Sequence, residues 1–251
     1  MFRTRVIPCL LLKNLGLVKT IQFKDPKYIG DPMNAIKIYN DFEADELVFL
    51  DINASKENRT INLEFVKKVG QEAFMPFAVG GGIKKIEHVK NVFNSGAEKV
   101  VINTAAIENP NLIKEAAEIF GSQSIILSID AKKEKNSYKV YTHGGTKQTN
   151  FSPSELANKM ESLGVGEILI NSIDQDGTML GYDLDLIKAV SSAVNIPVVA
   201  CGGAGCLQDF IKAIRAGATA VAAGSLFVYS GRNKGILITY PDKKELEEIF
   251  K

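Results

Sequence analysis

The segments Glu46-Leu47-Val48-Phe49 and Glu167-Ile168-Leu169-Ile170 carry one pattern twice, an acidic residue followed by three apolar residues. Two glycine-containing pairs repeat at the same distance, namely Gly81-Gly82 with Gly202-Gly203 and Gly96-Ala97 with Gly217-Ala218. The distance is 121 residues in all three cases (46 to 167, 81 to 202, 96 to 217), close to half of the 251-residue chain. The pattern therefore indicates two tandem halves, with a chance likeness between α/β units as the alternative.

Eight short apolar segments alternate with segments whose apolar residues recur at the helical period. We predict strands over residues 5–11, 46–51, 76–79, 98–102, 124–129, 167–171, 197–201 and 219–223. Strands that alternate with helices form parallel βαβ units, in either a doubly wound open sheet or a closed barrel. The count of eight, the chain length and the lack of a linker favour one α/β domain over residues 1–251, a (β/α)8 TIM barrel of two half-barrels.

Several helix starts are marked by a capping side chain in front of a proline. These dipeptides are Asp31-Pro32, Asn109-Pro110 and Ser152-Pro153, and Ser152 with Glu155 also forms a predicted capping box. A last helix is expected over residues 242–250.

Charge and cysteine usage exclude several classes of protein. The chain has 30 Lys and Arg against 29 Asp and Glu, so its net charge gives no reason to expect nucleic acid or an anionic membrane surface as a partner. No apolar segment approaches the ~18 residues of a membrane span. The three cysteines cannot all pair and have no metal-ligand spacing, which favours the reducing cytoplasm and a site without metal or cofactor.

Four predicted loops between strands and helices resemble phosphate-binding loops. The stretches 79–83 (Val-Gly-Gly-Gly-Ile) and 200–205 (Ala-Cys-Gly-Gly-Ala-Gly) each follow a strand and open a helix, where backbone N–H groups can hold an anion. Asn103-Thr104 and Gly224-Ser225 add a small polar side chain at the next strand end of each half. Tight turns would explain a single glycine loop. Two pairs at the repeat distance favour two phosphate sites, and so a long substrate with phosphate at both ends.

Carboxylates at strand ends are the candidates for acid–base chemistry, because chemistry in a barrel takes place at that face. Asp130 ends the strand segment 125–130 and is the main candidate, with capping of the next loop as its alternative role. Asp51 and Asp176 also follow strands and could bind substrate hydroxyls or shift the pKa of Asp130. The first-half stretch 7–11 aligns with 126–130, which places Leu11 opposite Asp130 in the repeat, and leucine cannot transfer a proton.

Two long connecting segments are expected to be functional. Residues 13–30 hold Lys19, whose cation could reach an anionic substrate from a mobile lid. Residues 131–150 include Tyr138-Lys139-Val140-Tyr141, which is typical of one strand of an added hairpin.

Taken together, these motifs resemble those of a known protein family. Over essentially its whole length the chain resembles the cyclase subunit of imidazole glycerol phosphate synthase, from histidine biosynthesis. The resemblance is carried by residues 45–52, 79–83, 120–123, 129–132, 141–145, 176–178 and 202–205. It implies a (β/α)8 barrel of two half-barrels, in agreement with the internal repeat.

The resemblance also implies an activity and a partner. In that family a separate glutaminase subunit, bound as a heterodimer, releases ammonia at the bottom of the barrel. The ammonia crosses the barrel to a bisphosphorylated aminoimidazole-carboxamide ribonucleotide, and ring closure with lysis yields imidazole glycerol phosphate. A lyase-type subunit of a glutamine amidotransferase complex is therefore expected.

Site residues follow from the resemblance position by position. Asp130 matches the general acid, and Lys19 matches the lysine of the first loop. One phosphate site matches Gly82, Asn103 and Thr104, and the other matches Gly177, Gly203, Gly224 and Ser225. Four residues of alternating charge match the ammonia gate at the bottom of the barrel: Arg5, Glu46, Lys99 and Glu167.

One position departs from the family pattern, because Leu11 stands where the family has its other catalytic aspartate. Loss of one of two proton-transfer groups typically costs ~10²–10⁴ in rate. Two functions remain open on this evidence. The chain is a cyclase acting on a phosphorylated substrate, or it is similar to relatives that conduct ammonia to a separate amidotransferase for a surface sugar. A third possibility, a plain binding protein, does not explain the gate residues.

Overall fold

The computed structural model describes residues 4–135, 137–231 and 233–251. Its strands, in chain order, are β1 (Arg5–Lys13), β2 (Gly16–Ile21), β3 (Lys24–Gly30), β4 (Leu47–Asp51), β5 (Phe77–Gly80), β6 (Lys99–Ile102), β7 (Ile125–Glu134), β8 (Ser137–Thr142), β9 (Lys147–Gln148), β10 (Glu167–Ser172), β11 (Val198–Cys201), β12 (Ala220–Ala223), β13 (Tyr229–Ser230) and β14 (Gly235–Ile236). Each of the eight predicted strand segments overlaps one of these.

Eight of the strands close into a parallel barrel in the order β1-β4-β5-β6-β7-β10-β11-β12. Closure is made by β12 against β1, where Arg5 pairs with Ala220 and Pro8 with Ala223. The second junction between the halves is β7 against β10, where Asp130 pairs with Asn171. Because a closed sheet has no free edges, neither half is left with unpaired strands. The predicted (β/α)8 barrel is confirmed.

The helices cover the outside of the barrel. They are α1 (Pro32–Asp41), α2 (Leu63–Glu72), α3 (Ile86–Asn94), α4 (Thr104–Glu108), α5 (Asn111–Phe120), α6 (Pro153–Ser162), α7 (Leu184–Ser191), α8 (Leu207–Arg215) and α9 (Lys243–Ile249). In the part of the chain that the structure describes, none of them has the length and apolar character needed to cross a membrane.

The predicted helix starts are right in two cases and wrong in one. Asp31 caps α1 by accepting from the backbone N–H groups of Met33 and Asn34, and Ser152 forms the expected capping box with Glu155 at α6. Asn109 does not cap α5, because Pro110 occupies the cap position and the helix begins one residue later.

Two hairpins rise from the C-terminal ends of barrel strands. The segment 13–30, expected to be a mobile lid, is mostly an antiparallel hairpin in which β2 pairs with both β1 and β3. The expected hairpin in residues 131–150 is confirmed, and it is longer than expected because β7 continues to Glu134 and pairs with β8. Backbone pairing thus gives both segments regular structure.

Apolar side chains fill two layers. One lies between strands and helices, and the other fills the barrel itself with small and branched side chains: Ile7, Cys9, Val48, Ala78, Val101, Ile126, Leu169, Val199, Ala220 and Ala222. Full burial of a Val, Leu or Ile side chain contributes about 1.5–3 kcal/mol, so these layers hold the strand ends in fixed positions.

Candidate functional site

A cavity of about 480 Å³ opens at the C-terminal ends of the barrel strands, and we call it the mouth cavity. It is lined by all eleven residues predicted to act on or bind the substrate: Lys19, Asp51, Gly82, Asn103, Thr104, Asp130, Asp176, Gly177, Gly203, Gly224 and Ser225. Its size is within the range of sites for small molecules. Within the described residues, no group of three or more His, Cys, Asp or Glu side chains is arranged to hold a metal ion.

The first-half loops form one wall of the mouth cavity. Gly82 has φ +65°, and a Cβ there would collide with the carbonyl oxygen of Arg59, so only glycine fits. Asn103 directly follows β6, and the Thr104 hydroxyl donates to the Asn103 side-chain oxygen over 3.2 Å. The His143 backbone N–H in turn donates to the Thr104 hydroxyl over 3.0 Å. Backbone N–H groups and small polar side chains of this kind suit a phosphate group.

The second-half loops form the opposite wall. Gly203 has φ +110°, and a Cβ there would collide with the carbonyl oxygen of Gly181. Gly224 follows β12, and the buried Ser225 begins a short 3₁₀ helix. The two predicted phosphate loops therefore lie on opposite sides of one cavity, as the repeat required.

Asp130 stands at the mouth between these walls. Its carboxylate accepts a hydrogen bond from the Asn103 side-chain amide over 3.2 Å. Burial, and after it the neighbouring Asp176 carboxylate, raise the pKa of Asp130 to about 7, because they penalise the charged form more than the polar neighbours favour it. A carboxyl with this pKa can both give and accept a proton near neutral pH.

Leu11 lines the same cavity from β1. It packs against the barrel interior, and its backbone lies in register with Leu50 of β4. The first half thus presents an aliphatic surface to the cavity where the second half presents the Asp130 carboxyl.

Lys19 and Asp176 line the cavity and also form hydrogen bonds with neighbouring segments. Lys19 is only 6% exposed, and its ammonium donates to the Cys9 carbonyl oxygen over 2.8 Å at the cavity floor. Burial lowers the pKa of Lys19. The Asp176 carboxylate accepts from the Thr20 hydroxyl over 2.7 Å and from the Phe23 backbone N–H over 3.2 Å, so it fastens the β2–β3 hairpin to the barrel.

The Asp51 carboxylate forms a salt bridge with Arg59, a residue that the sequence did not point to. The Arg59 guanidinium contacts this carboxylate at 2.6 Å, and the Asp51 carboxylate also accepts from the backbone N–H groups of Asn53 and Ala54. Arg59 gives little signal in the sequence, since it stands in a polar segment without periodicity. The pair leaves Asp51 less free to bind substrate hydroxyls than the sequence indicated.

At the opposite end of the barrel four charged residues close a cycle of ion pairs, which we call the basal ring. Arg5 contacts both Glu46 and Glu167. Lys99 contacts the same two carboxylates, each at 2.9 Å. Glu46 is 3% exposed and Glu167 is 4% exposed, so the negative charge of each buried carboxylate is compensated by the two cations that it contacts.

Comparison with known proteins agrees with this architecture. The family described as histidine biosynthesis protein matches residues 5–234. A Pseudomonas aeruginosa protein with the provisional name imidazole glycerol phosphate synthase subunit hisF2 is 51% identical over 249 residues, which cover 98% of this chain and 99% of that protein.

Two relatives whose names carry no provisional label cover nearly as much of this chain. The imidazole glycerol phosphate synthase subunit HisF of Petrotoga mobilis is 47% identical, over 91% of this chain and 92% of its own. The subunit of the same name from Pyrococcus furiosus is also 47% identical, over 91% of each chain. The barrel, the family match and these relatives lead to one conclusion: the chain belongs to the histidine biosynthesis protein family, as a HisF-like cyclase subunit of imidazole glycerol phosphate synthase.

Proposed function

We propose that this chain is the lyase subunit of a cytoplasmic heterodimer. Its partner is a glutaminase that docks at the basal ring, and its substrate is a small molecule with phosphate at both ends, bound in the mouth cavity. By family analogy the substrate is the bisphosphorylated aminoimidazole-carboxamide ribonucleotide, and the product is imidazole glycerol phosphate.

The observation that carries this proposal is the position of Asp130 between two phosphate-type loops. A substrate held at both ends by the loops at Gly82 and Gly203 spans the cavity, so its middle lies over Asp130. With a pKa of about 7 this group is present in both protonation states at neutral pH. It can therefore donate a proton to a departing nitrogen or oxygen and recover it in the next step.

The route for ammonia is supported by the interior of the barrel. Between the basal ring and the mouth cavity the buried inward-facing side chains of the described residues form an apolar layer, which includes Cys9 and against which Cys201 packs. Neutral ammonia enters such a path at little cost, whereas ammonium must lose its hydration. The basal ring thereby separates a charged entrance from an uncharged passage.

The test is turnover of the bisphosphorylated ribonucleotide with ammonium salt, followed by product analysis. We expect cyclisation that falls at least about 100-fold in Asp130→Asn, the usual size of a lost acid–base group. Normal turnover in Asp130→Asn contradicts the assignment of Asp130. The same assay with glutamine and the glutaminase then tests the partner.

A second candidate function rests on Leu11. With one carboxyl at the mouth, the chain conducts ammonia from the glutaminase to a separate amidotransferase that modifies a surface sugar, and performs no ring closure itself. Ammonia-dependent cyclisation at an ordinary enzymatic rate contradicts this alternative. A chain that binds the ribonucleotide without converting it, but supports glutamine-dependent sugar amidation, contradicts the first proposal.

A further inference from the structure

Asn171 carries an amide group without a partner at the mouth of the barrel. It lies on β10, two residues beyond the interior residue Leu169, so strand alternation points its side chain into the barrel, where it lines the mouth cavity. The residue is only 8% exposed. Within the described residues nothing forms a hydrogen bond with its buried amide oxygen. Because a buried polar group without a partner lowers stability, its presence here indicates a functional role.

The position of Asn171 relates it directly to Asp130. The two residues are in register on the adjacent parallel strands β10 and β7. Neighbouring strands lie roughly 4.8 Å apart, so both side chains can contact the same part of a ligand. On the other side of Asp130, Asn103 follows β6 and already donates its amide to the Asp130 carboxylate. Asp130 thus lies between one amide that is engaged with it and one that is not.

A glycine fixes the orientation of the Asn171 amide. A Cβ on Gly202 would collide with the Asn171 amide oxygen, so a glycine is needed to leave room for this oxygen. Gly202 also has φ +86°, a conformation that favours glycine. The packing shields the oxygen from solvent, so the nitrogen is the polar atom that the side chain presents to the cavity. Asn171 therefore offers an N–H donor to a ligand.

We propose that Asn171 is a substrate-orienting residue, whose amide donates a hydrogen bond to an acceptor oxygen in the middle of the substrate. The inference rests on the proposed function, in which the loops at Gly82 and Gly203 hold the two phosphate ends. Since the middle of the substrate then lies over Asp130, an oxygen there is also within reach of Asn171. The expected group is a carbonyl or hydroxyl oxygen, because these accept a hydrogen bond from an amide.

Ser172 provides a matched control on the same strand. Its hydroxyl is also buried without a partner among the described residues, and the residue is 2% exposed. Successive side chains of a strand point to opposite faces, so Ser172 points away from the cavity that Asn171 lines. A change at Ser172 therefore removes a similar buried polar group without touching a ligand.

The first measurement compares denaturant unfolding of the full chain without a ligand. Asn171→Leu replaces the amide by an apolar group of similar volume, so it should raise the denaturant midpoint. Ser172→Ala should act in the same direction, because it also removes a buried polar group without a partner. A lower or unchanged midpoint in Asn171→Leu would show that the amide is satisfied in the free protein. That result overturns the inference whether or not the ribonucleotide binds.

The second measurement compares two ligands by calorimetry at pH 7. The bisphosphorylated ribonucleotide should bind Asn171→Leu roughly tenfold more weakly than the parent, which is the size of one lost hydrogen bond. Inorganic phosphate should bind both proteins equally, because the loops alone hold it. Ser172→Ala should match the parent with both ligands.

The outcomes separate the orienting role from the proposed function. Equal ribonucleotide affinity in Asn171→Leu and the parent overturns the inference, and so does an equal loss of phosphate affinity, which would indicate a distorted cavity. If Asn171→Leu does not fold, Asn171→Ala gives the same ligand comparison, since it removes the amide without adding volume. A parent that does not bind the ribonucleotide contradicts the proposed function, and the unfolding midpoints then decide the inference.

Discussion

The side-chain amide of Asn103 donates to the carboxylate of Asp130 over 3.2 Å and to the backbone carbonyl of Ser128 over 3.0 Å. One amide group thus joins the residue that follows β6 to the middle of β7. Because Asn103 also lines the first-half wall of the mouth cavity, a ligand that moves this amide changes the environment of the acid–base candidate.

The stability of the protein should depend on pH through Asp130. Burial raises the pKa of Asp130 from 3.8 to about 7, so between these values the folded chain holds a proton that the unfolded chain has released. Stability therefore falls as the pH rises from about 4 to about 7, and remains at the lower level above that. Asp130→Asn removes this penalty.

We expect Asp130→Asn to raise the free energy of unfolding by about 2–4 kcal/mol at pH 8, since solvent in the cavity screens part of the full shift. At pH 4 the variant and the parent should agree. Denaturant unfolding at both pH values measures this, with Asp25→Asn on the exposed hairpin as control. An equal effect at both pH values would show that packing, not titration, is responsible.

Charge reversal at Lys99 should affect turnover with glutamine-derived ammonia differently from turnover with ammonium salt. Lys99→Glu places a third carboxylate beside Glu46 and Glu167, which are buried, and breaking such pairs costs about 3–5 kcal/mol. Glutamine-dependent turnover with the glutaminase should fall far more than turnover with ammonium salt. Lys114→Glu, on exposed α5, is the matched control. Equal losses of turnover in the two assays would contradict the assignment of the basal ring as an ammonia gate.

Leu11→Asp should restore the missing carboxyl on the first-half side of the mouth cavity. The side chain lines the cavity, where solvent can hydrate a carboxylate, so the fold should survive. If the parent cyclises slowly, we expect a gain of about tenfold, equal to ~1.4 kcal/mol of barrier. The isosteric Leu11→Asn cannot transfer a proton and is the control. A parent that already turns over at an ordinary enzymatic rate contradicts the idea that Leu11 limits the reaction.

Thr20→Val should loosen the β2–β3 hairpin. The change removes the 2.7 Å hydrogen bond to Asp176 at nearly constant volume, for a loss of about 0.5–1.5 kcal/mol. Amide hydrogen exchange over residues 16–30 should become faster, while exchange in β10 and β11 stays the same. Thr60→Val, in the loop after β4, is the control. Unchanged protection of the hairpin would mean that Asp176 does not fasten it.

The sequence by itself determined the barrel. Strand and helix periodicity are local properties, and the repeat at 121 residues indicated two similar halves. The strand count and the positions of the two predicted phosphate loops could therefore be read without a structure. The placement of Asp130 and Leu11 at the mouth of the barrel followed from the same pattern, although β1 and β7 continue past these residues to Lys13 and Glu134. Helix starts could be read to within one residue, as Asn109 and Pro110 illustrate.

Only the tertiary structure decided which side chains meet. The salt bridge of Arg59 with Asp51 and the hydrogen bond that fastens the hairpin to Asp176 join distant or irregular segments. The pKa of Asp130 likewise depends on burial by residues from several strands. Such contacts have no periodic signature, because they arise when barrel closure brings strand ends together and removes them from water.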